Sequence, residues 1–319
     1  MPQRVMTNAE LEEMVDTSDE WIVSRTGIRE RRIAADDQAT TDLAAEAVRD
    51  LLRRTGTDVS DVDLLIVATT TPDYPFPPCA PIVGTMTGMD HVAAYDTNAV
   101  CSGFMYGIAQ ATGMVESGMA RRAVVVGAET LSRIMNWDDR ATCVLFADGA
   151  GAVMIEADGG EPGTGVVGVE FGSDGTGFAD LWVPAGGTRS PVSPQTPHAD
   201  TCIQMNGREV FRFATRILVE SSQRLLAEAG MTIADVDLMV AHQANERILD
   251  HASERMGIDR AKVVMNLDRL GNTSSASIPL ALADAVDTGM LEEEALVLMV
   301  GFGAGLTWGS VLVRWEPRT

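Results

Sequence analysis

Leu51-Leu52-Arg-Arg-Thr-Gly56-Thr-Asp-Val-Ser-Asp61-Val62-Asp63-Leu64 has a counterpart in Leu225-Leu226-Ala-Glu-Ala-Gly230-Met-Thr-Ile-Ala-Asp235-Val236-Asp237-Leu238. Every matched pair is 174 residues apart (51 to 225, 64 to 238). Upstream, Leu43-Ala-Ala-Glu-Ala-Val-Arg-Asp-Leu-Leu52 spaces its apolar residues as a helix does; downstream, Leu64-Leu-Ile-Val-Ala68 is an unbroken apolar strand. A strand without polar alternation predicts a sheet covered on both faces. A second echo follows. Ser117-Gly118-Met119 before Ala123-Val-Val-Val-Gly-Ala parallels Thr288-Gly289-Met290 before Ala295-Leu-Val-Leu-Met-Val, 171 residues apart (118 to 289). The same βα units recur in the same order, so the chain reads as an α/β protein with an internal duplication. Its halves are 1–160 and 161–319, meeting in Asp158-Gly-Gly-Glu-Pro-Gly.

The second offset sets Cys101 against Asn272, in equivalent strand-to-helix corners that would face one another across a cleft on a pseudo-twofold axis. Cys101 lies in Asn98-Ala-Val-Cys101-Ser-Gly103-Phe104, before apolar residues at helical spacing. A helix start favours a thiolate, although a buried structural thiol has the same local pattern. Gly271-Asn272-Thr-Ser-Ser-Ala-Ser-Ile-Pro279 is small and polar ahead of a helix, which also suits an N-cap. His242, in Ala241-His242-Gln243-Ala244-Asn245-Glu246-Arg247, follows the apolar strand 236–240, the end of a sheet where α/β folds put chemistry. Gly301-Phe-Gly303-Ala304-Gly305 after a strand lacks the dinucleotide pattern but can present N–H groups to an oxyanion. Trp21 and Arg25, four apart, offer an aromatic and a guanidinium for a nucleobase. The second half opens with Gly165-Val-Val-Gly-Val-Glu-Phe171, whose counterpart falls ahead of Met1. A strand about ten residues upstream is therefore expected, central in its sheet.

Composition narrows the class. The 319 residues carry 46 acidic and 24 basic side chains, a formal charge of -22, with Lys262 the one lysine. That balance argues against nucleic acid or an anionic membrane as partner. Cys79, Cys101, Cys143 and Cys202 have no metal-ligand spacing, and the 4 histidines form no His-Glu-x-x-His, so no metal is expected. No basic-then-apolar leader or long apolar run is present, and a cytoplasmic location is expected.

In combination these motifs resemble β-ketoacyl-acyl-carrier-protein synthase III. Asn-Ala-Val-Cys101-Ser-Gly-Phe, His242-Gln-Ala-Asn-x-Arg and Gly-Asn272-Thr-Ser-x-Ala-Ser-Ile-Pro look like that family's Cys-His-Asn triad. Thr17-Ser-Asp-Glu-Trp21-Ile-Val-Ser-Arg25-Thr-Gly-Ile-Arg-Glu-Arg and Gly303-Ala-Gly-Leu-Thr-Trp-Gly-Ser are similar to it as well. The resemblance spans essentially the whole chain. It implies a thiolase-like, five-layered αβαβα fold, a homodimer, and decarboxylative condensation of an acyl-CoA starter with malonyl-acyl-carrier protein, with no cofactor. Cys101 would be the acylated nucleophile, His242 and Asn272 the donors to the enolate oxygen, and the N–H groups of Cys101 and Ala304 the oxyanion hole. The family usually has glycine where this chain has Ala304. Trp21 and Arg140 would sandwich the CoA adenine with Thr17 and Arg25 nearby, Asn245 would touch the pantetheine arm, and Phe76 would enter the partner subunit's acyl pocket. Arginines near that entrance, Arg208, Arg212 and Arg216 at helical spacing with Arg247 and Arg255, suit an acidic carrier protein; Arg212, Arg216, Arg247 and Arg255 are the expected docking set. Two alternatives remain at this level: a related condensing enzyme of polyketide or secondary metabolism using malonyl-CoA or another carrier, and a non-catalytic acyl-carrier-binding scaffold or thiol sensor.

Overall fold

The computed structural model describes residues 1–157 and 164–316, so the linker at 158–163, with the half boundary at 160, lies outside the described residues. The chain opens with the antiparallel pair β1 (Arg4–Thr7) and β2 (Glu30–Ile33), enclosing α1 (Asn8–Glu12) and α2 (Asp19–Thr26). Then come α3 (Thr40–Thr55), β3 (Leu64–Ala68), α4 (Cys79–Thr87), β4 (Ala93–Thr97), α5 (Gly103–Glu116), β5 (Arg122–Thr130), α6 (Arg140–Cys143) and β6 (Asp148–Glu156). The rest comprises β7 (Gly165–Ser173), β8 (Leu181–Trp182), β9 (Gln204–Met205), α7 (Gly207–Glu228), β10 (Leu238–Ala241), α8 (Glu246–Met256), α9 (Leu267–Leu270), α10 (Ser277–Asp287), β11 (Leu296–Gly303) and β12 (Thr307–Arg314).

Two four-stranded sheets, ordered β4-β3-β5-β6 and β10-β11-β12-β7, repeat a common three-stranded part, β3-β5-β6 and β10-β11-β12, and carry their fourth strand on opposite edges. In each, parallel strands are joined to an antiparallel one, β6 or β12. Alternation along the strands builds the layers. Leu65, Val67, Val124 and Val126 pack outward on α3 and α4, while Leu64, Ile66 and Val125 pack inward with Phe104 and Ile108 of α5. In the second sheet, Leu298, Val300 and Phe302 face α7 and α8, while Val297 and Met299 face Ile278 and Leu282 of α10. Helices α5 and α10 therefore lie between the sheets, and the order is αβαβα. Because both faces of each sheet are covered, the strands read as unbroken apolar runs.

The expectation of a central strand at this point of the repeat is corrected: β7, the strand in the second half on which it rests, is an edge strand paired only with β12. The pairing of Cys101 with Asn272 also shifts. Short 3-10 turns, Val100–Ser102 and Ser274–Ala276, run directly into α5 and α10, and each begins with a residue in the left-handed region: Val100 at φ 49 and Ser274 at φ 50. The structural equivalent of Cys101 is therefore Ser275, at the original offset of 174 (101 to 275). Helix α10 is three residues shorter than α5 (14 against 11), which produces the 171 measured beyond it.

Glycines at matching strand positions let the corners meet. A Cβ on Gly127 of β5 would overlap the Ser275 carbonyl, and one on Gly301 of β11 would stand 3.6 Å from the Cys101 carbonyl oxygen. These two contacts exchange under the pseudo-twofold axis. Gly127→Ala forces backbone apart and should cost about 1–3 kcal/mol, whereas Gly301→Ala meets only ordinary van der Waals contact. Thermal melting should show a clear fall in Tm for the first and little change for the second; equal shifts would mean the two corners are not packed as described.

Candidate active site

Cys101 is 5 % exposed and sits at the turn feeding the 14-residue α5. Its turn is held from below. Ser102 Oγ contacts both the Ala99 carbonyl and Thr307 Oγ1 at 2.8 Å, and Thr307 Oγ1 lies 2.9 Å from the same carbonyl. At the end of β11, a Cβ on Gly303 would come within 2.7 Å of the Cys101 nitrogen, so only glycine leaves the space in front of that N–H open. Ala304, next in the chain, is buried beside it.

Burial pushes the Cys101 thiol up from the ordinary 9.0 to about 12; charge on Glu129 adds to the rise, and the Ser274 hydroxyl and a backbone N–H oppose it. At 1.36 kcal/mol per pH unit that is about 4 kcal/mol against the thiolate. A helix N-terminus returns about 0.3–1 kcal/mol, up to about 2 in partly buried settings. The helix start alone therefore does not make the thiolate.

His242 is 1 % exposed, immediately after β10. Its N–H donates to the Val300 carbonyl at 2.8 Å, and its ring stands edge-on to Phe302 with centroids 5.3 Å apart. Gln243 locks the turn: its backbone N–H donates to Ser277 Oγ at 2.7 Å and its amide to the Ala241 and Val264 carbonyls at 2.9 and 3.0 Å. Burial pushes the imidazole down to about 3, so it is neutral at pH 7, and its buried Nδ1 has no partner among the described residues. Gly301 links it to the cysteine, since a Cβ there would be 3.6 Å from the Cys101 oxygen and 3.7 Å from the His242 Cβ. The pseudo-twofold axis explains the meeting. It carries Ala68 to His242 and Ser275 to Cys101, and Ser275 Oγ lies 2.8 Å from the Ala68 carbonyl.

Asn272 is 5 % exposed and held by an isolated bridge to Phe146. Its N–H donates to the Leu145 carbonyl at 2.9 Å and its carbonyl accepts from Ala147 at 2.8 Å. The side-chain Oδ1 accepts the Ser274 N–H at 2.9 Å, which leaves Nδ2 as the end that donates outward. The turn at Ser274, whose hydroxyl counters the rise at Cys101, thus also holds the Asn272 amide.

Farther out, Arg140 stacks on Trp21 at 4.8 Å and donates to the Asp16 carbonyl at 2.6 Å. The guanidinium on Trp21 is Arg140 and not the neighbouring Arg25. A base held between two faces needs a gap of about 7 Å, twice a van der Waals separation, so Arg140 must swing away to admit one. Thr17 Oγ1, four residues before Trp21, is buried without a partner among the described residues. Asn245 caps α8, accepting from Arg247 N at 2.9 Å and donating to the Arg25 carbonyl at 3.0 Å. One amide hydrogen and one lone pair remain for a ligand. Phe76 is 85 % exposed between two prolines. On α7, Arg212 pairs with Glu209 at 2.5 Å and Arg216 with Glu220 at 3.0 Å, so both are partly neutralised. Arg247, at the start of α8, packs over Phe211 at 5.9 Å, and Arg255 lies about 12 Å further along that helix. Sequence reasoning missed Glu129, Ser274 and Ser275. The available signal was a carboxylate at the end of an otherwise apolar buried strand.

The comparisons with known proteins agree along the chain. The family model for 3-oxoacyl-[acyl-carrier-protein] synthase III matches residues 95–175, and the model for its C-terminal part matches residues 226–315. A β-ketoacyl-[acyl-carrier-protein] synthase III of Symbiobacterium thermophilum is 47% identical over 316 residues, covering 99% of this chain and 95% of that one. Among solved structures, the synthase III of Thermus thermophilus superposes with a TM-score of 0.92 at 48% identity, covering 99% of this chain and 96% of that chain. A priming β-ketosynthase of the R1128 polyketide pathway superposes at 0.91 with 34% identity, covering 99% and 94%.

The lowered histidine has a measurable consequence. Below its ordinary 6.5 the unfolded chain binds a proton that buried His242 refuses until about 3. Stability from this residue is therefore whole above 6.5 and is lost as pH falls through that window. Urea unfolding between about pH 7 and about pH 5 should show a smaller loss for His242→Gln than for the parent chain; an equal loss would mean that His242 titrates normally.

Proposed function

The chain belongs to the β-ketoacyl-acyl-carrier-protein synthase III family, and we infer that it condenses an acyl-CoA starter with malonyl-acyl-carrier protein to initiate fatty acid synthesis. The observation that carries this reading is the meeting of a buried cysteine, a neutral histidine and an asparagine whose free end donates. Cys101 thiolate attacks the acyl-CoA carbonyl carbon, forming a C–S bond, and the CoA sulfur leaves with its electron pair. The N–H groups of Cys101 and Ala304 hold the intermediate oxyanion. Malonyl-carrier protein then loses carbon dioxide. The electron pair left behind is delocalised onto the thioester oxygen, which accepts from the His242 ring N–H and Asn272 Nδ2. The carbanion attacks the acyl-cysteine and the Cys101 thiolate leaves. Neutral donors suit the task, because a carboxylate would repel the forming enolate. Both half-reactions balance with these two substrates, so neither a cofactor nor a metal has a step to perform.

Further assignments follow from the same reading. The Trp21–Arg140 stack, Thr17, Arg25 and Asn245 receive CoA, with Arg140 moving aside for the adenine. Exposed Phe76 supports a homodimer in which it enters the partner's acyl pocket. Arg212, Arg216, Arg247 and Arg255 receive the carrier protein. Four free, buried cysteines suit the reducing cytoplasm. The likeness to a polyketide priming synthase favours one second reading, a chain that primes a secondary-metabolite pathway. Turnover with malonyl-acyl-carrier protein against malonyl-CoA, over acyl-CoAs of varied length and branching, separates the two.

Cys101→Ser should abolish self-acylation. His242→Ala and Asn272→Ala should spare acylation while slowing decarboxylation on the order of a hundredfold. If His242→Ala blocks acyl transfer as fully as Cys101→Ser, the histidine is the nucleophile's base and these roles are wrong. Separately, Arg212→Glu with Arg247→Glu should raise KM for malonyl-carrier protein and leave self-acylation by acyl-CoA nearly unchanged. An unchanged KM places the docking face elsewhere.

A further inference from the structure

Arg31, on β2, is wholly buried, and neither half-reaction uses it. Among the described residues its guanidinium meets only neutral acceptors. Nη1 donates to Asn8 Oδ1 at 2.8 Å and, at the limit of hydrogen bonding, to the Met6 carbonyl at 3.5 Å. Nη2 donates to the Val144 carbonyl at 2.9 Å, and Nε is buried without a partner. Burial pushes the group down to about 10, which leaves it charged at neutral pH. A buried cation without a carboxylate is costly, and methionine would fill much the same space without that cost. Space-filling alone therefore does not account for a guanidinium here. Its donors point to what it holds. The Val144 carbonyl opens the link 144–147, which belongs to neither α6 nor β6. That link fixes the Asn272 backbone: Leu145 O accepts from Asn272 N at 2.9 Å, Ala147 N donates to Asn272 O at 2.8 Å, and Phe146 bridges to Asn272. Arg31 also backs the far side of the bridge. A Cβ on Gly271, at φ 67, would stand 3.1 Å from the Arg31 Cβ and 3.0 Å from that of Ala147. Just ahead of β2, Arg29 N donates to the Asp268 carbonyl at 2.8 Å and ties the run into Asn272 to the same strand.

We propose that Arg31 is a positioning residue for decarboxylation, fixing the link 144–147 so that Asn272 Nδ2 stays where the enolate oxygen forms. Arg31 touches no reacting atom and acts through the backbone of that link. Its two nitrogens fasten Val144 to Asn8, and Asn8 Nδ2 donates in turn to the Ile28 carbonyl and to Asp19 Oδ1, both at 2.8 Å. The link is thereby tied to the hairpin β1–β2 and its two helices. A donor stabilises developing charge only if it is already in place, and a shift of about 1 Å from a change far from the chemistry costs on the order of a hundredfold. Cys101 depends on a separate set of contacts, Ser102 and Thr307 on the Ala99 carbonyl. Loss of Arg31 therefore loosens the enolate donor and leaves the nucleophile's turn as it is.

This inference rests on Asn272 as donor to the enolate, and a double-mutant cycle on the full chain separates the two. Arg31→Met should lower kcat for decarboxylation of malonyl-carrier protein about tenfold, less than outright removal of the donor. KM for that substrate and the rate of self-acylation by acyl-CoA should stay near the parent values. Arg31→Lys, whose single nitrogen replaces the two that reach Asn8 and Val144, should fall between, about threefold slow. Added to Asn272→Ala, Arg31→Met should cost less than about twofold more, because the group it positions is gone. Self-acylation that falls in step with decarboxylation overturns the proposal, since a buttress for the whole fold gives that result. So does a full tenfold loss on top of Asn272→Ala. A slow Asn272→Ala beside a normal Arg31→Met overturns this inference alone, while normal decarboxylation by Asn272→Ala overturns the enolate role and this inference with it. If Arg31→Met does not fold, Arg31→Lys decides: the same split at smaller size upholds the proposal, and parent-like kcat or a matching loss of acylation overturns it.

Discussion

Backbone touching backbone at the pseudo-twofold axis is the constraint on which the molecule depends. Gly127 lies against Ser275 and Gly301 against Cys101, at matching positions of buried strands. Glycine inside a strand costs roughly 0.5–1 kcal/mol in chain entropy. That cost is offset because the same approach packs α5 and α10 between the sheets, with Phe104, Ile108, Ile278 and Leu282 buried in one cluster. Two turns with residues at φ 49 and φ 50 are then held tip to tip, where neither would persist alone.

From symmetric halves comes an asymmetric site. The axis relates Cys101 to Ser275, His242 to Ala68, and Gly303 to Glu129. One set gives a thiol, an imidazole, and an empty place before a backbone N–H. Its mirror set fills the same geometry with a serine bonded to a carbonyl and a carboxyl that fills the gap. The two corners thus share one shape and differ in the side chains they carry.

The two-half, two-sheet architecture was legible because helix-turn-strand units recur with their glycines and aspartates in place, and because covered strands lose polar alternation. Cys101, His242 and Asn272 were each marked by a local motif in the sequence. The register between halves was misread because the 171 spacing was measured beyond α10, which had lost three residues. The position of the leading strand was misread for a different reason: strand order within a sheet is set by packing across the fold, and nothing local encodes β7 as an edge. The collapsed Trp21–Arg140 stack and the Arg212–Glu209 pair are side-chain choices that depend on neighbours 119 residues and one helical turn away (21 to 140, 209 to 212). Glu129 was hidden because its partners come from two distant segments, 69–71 and 274–275.

Charge also explains why so acidic a chain can run carbanion chemistry in a buried cleft. Acyl transfer hands the charge of the Cys101 thiolate to the departing CoA sulfur, decarboxylation then sets a new one on the enolate oxygen, and condensation returns a charge to the Cys101 sulfur, so each station must tolerate it in turn. A fixed cation would hold the charge at one station and slow the next. A fixed anion would raise all of them. Among the groups near the path, His242 is neutral because burial strips its proton, and Asn272 and Ser274 are neutral by nature. Dipoles that already point inward stabilise each position without reorganising, and they favour none enough to trap it. Among the described residues Glu129 and Asp148 are the buried acids, and the other carboxylates that make the formal charge -22 meet water, where salt screens them from that path.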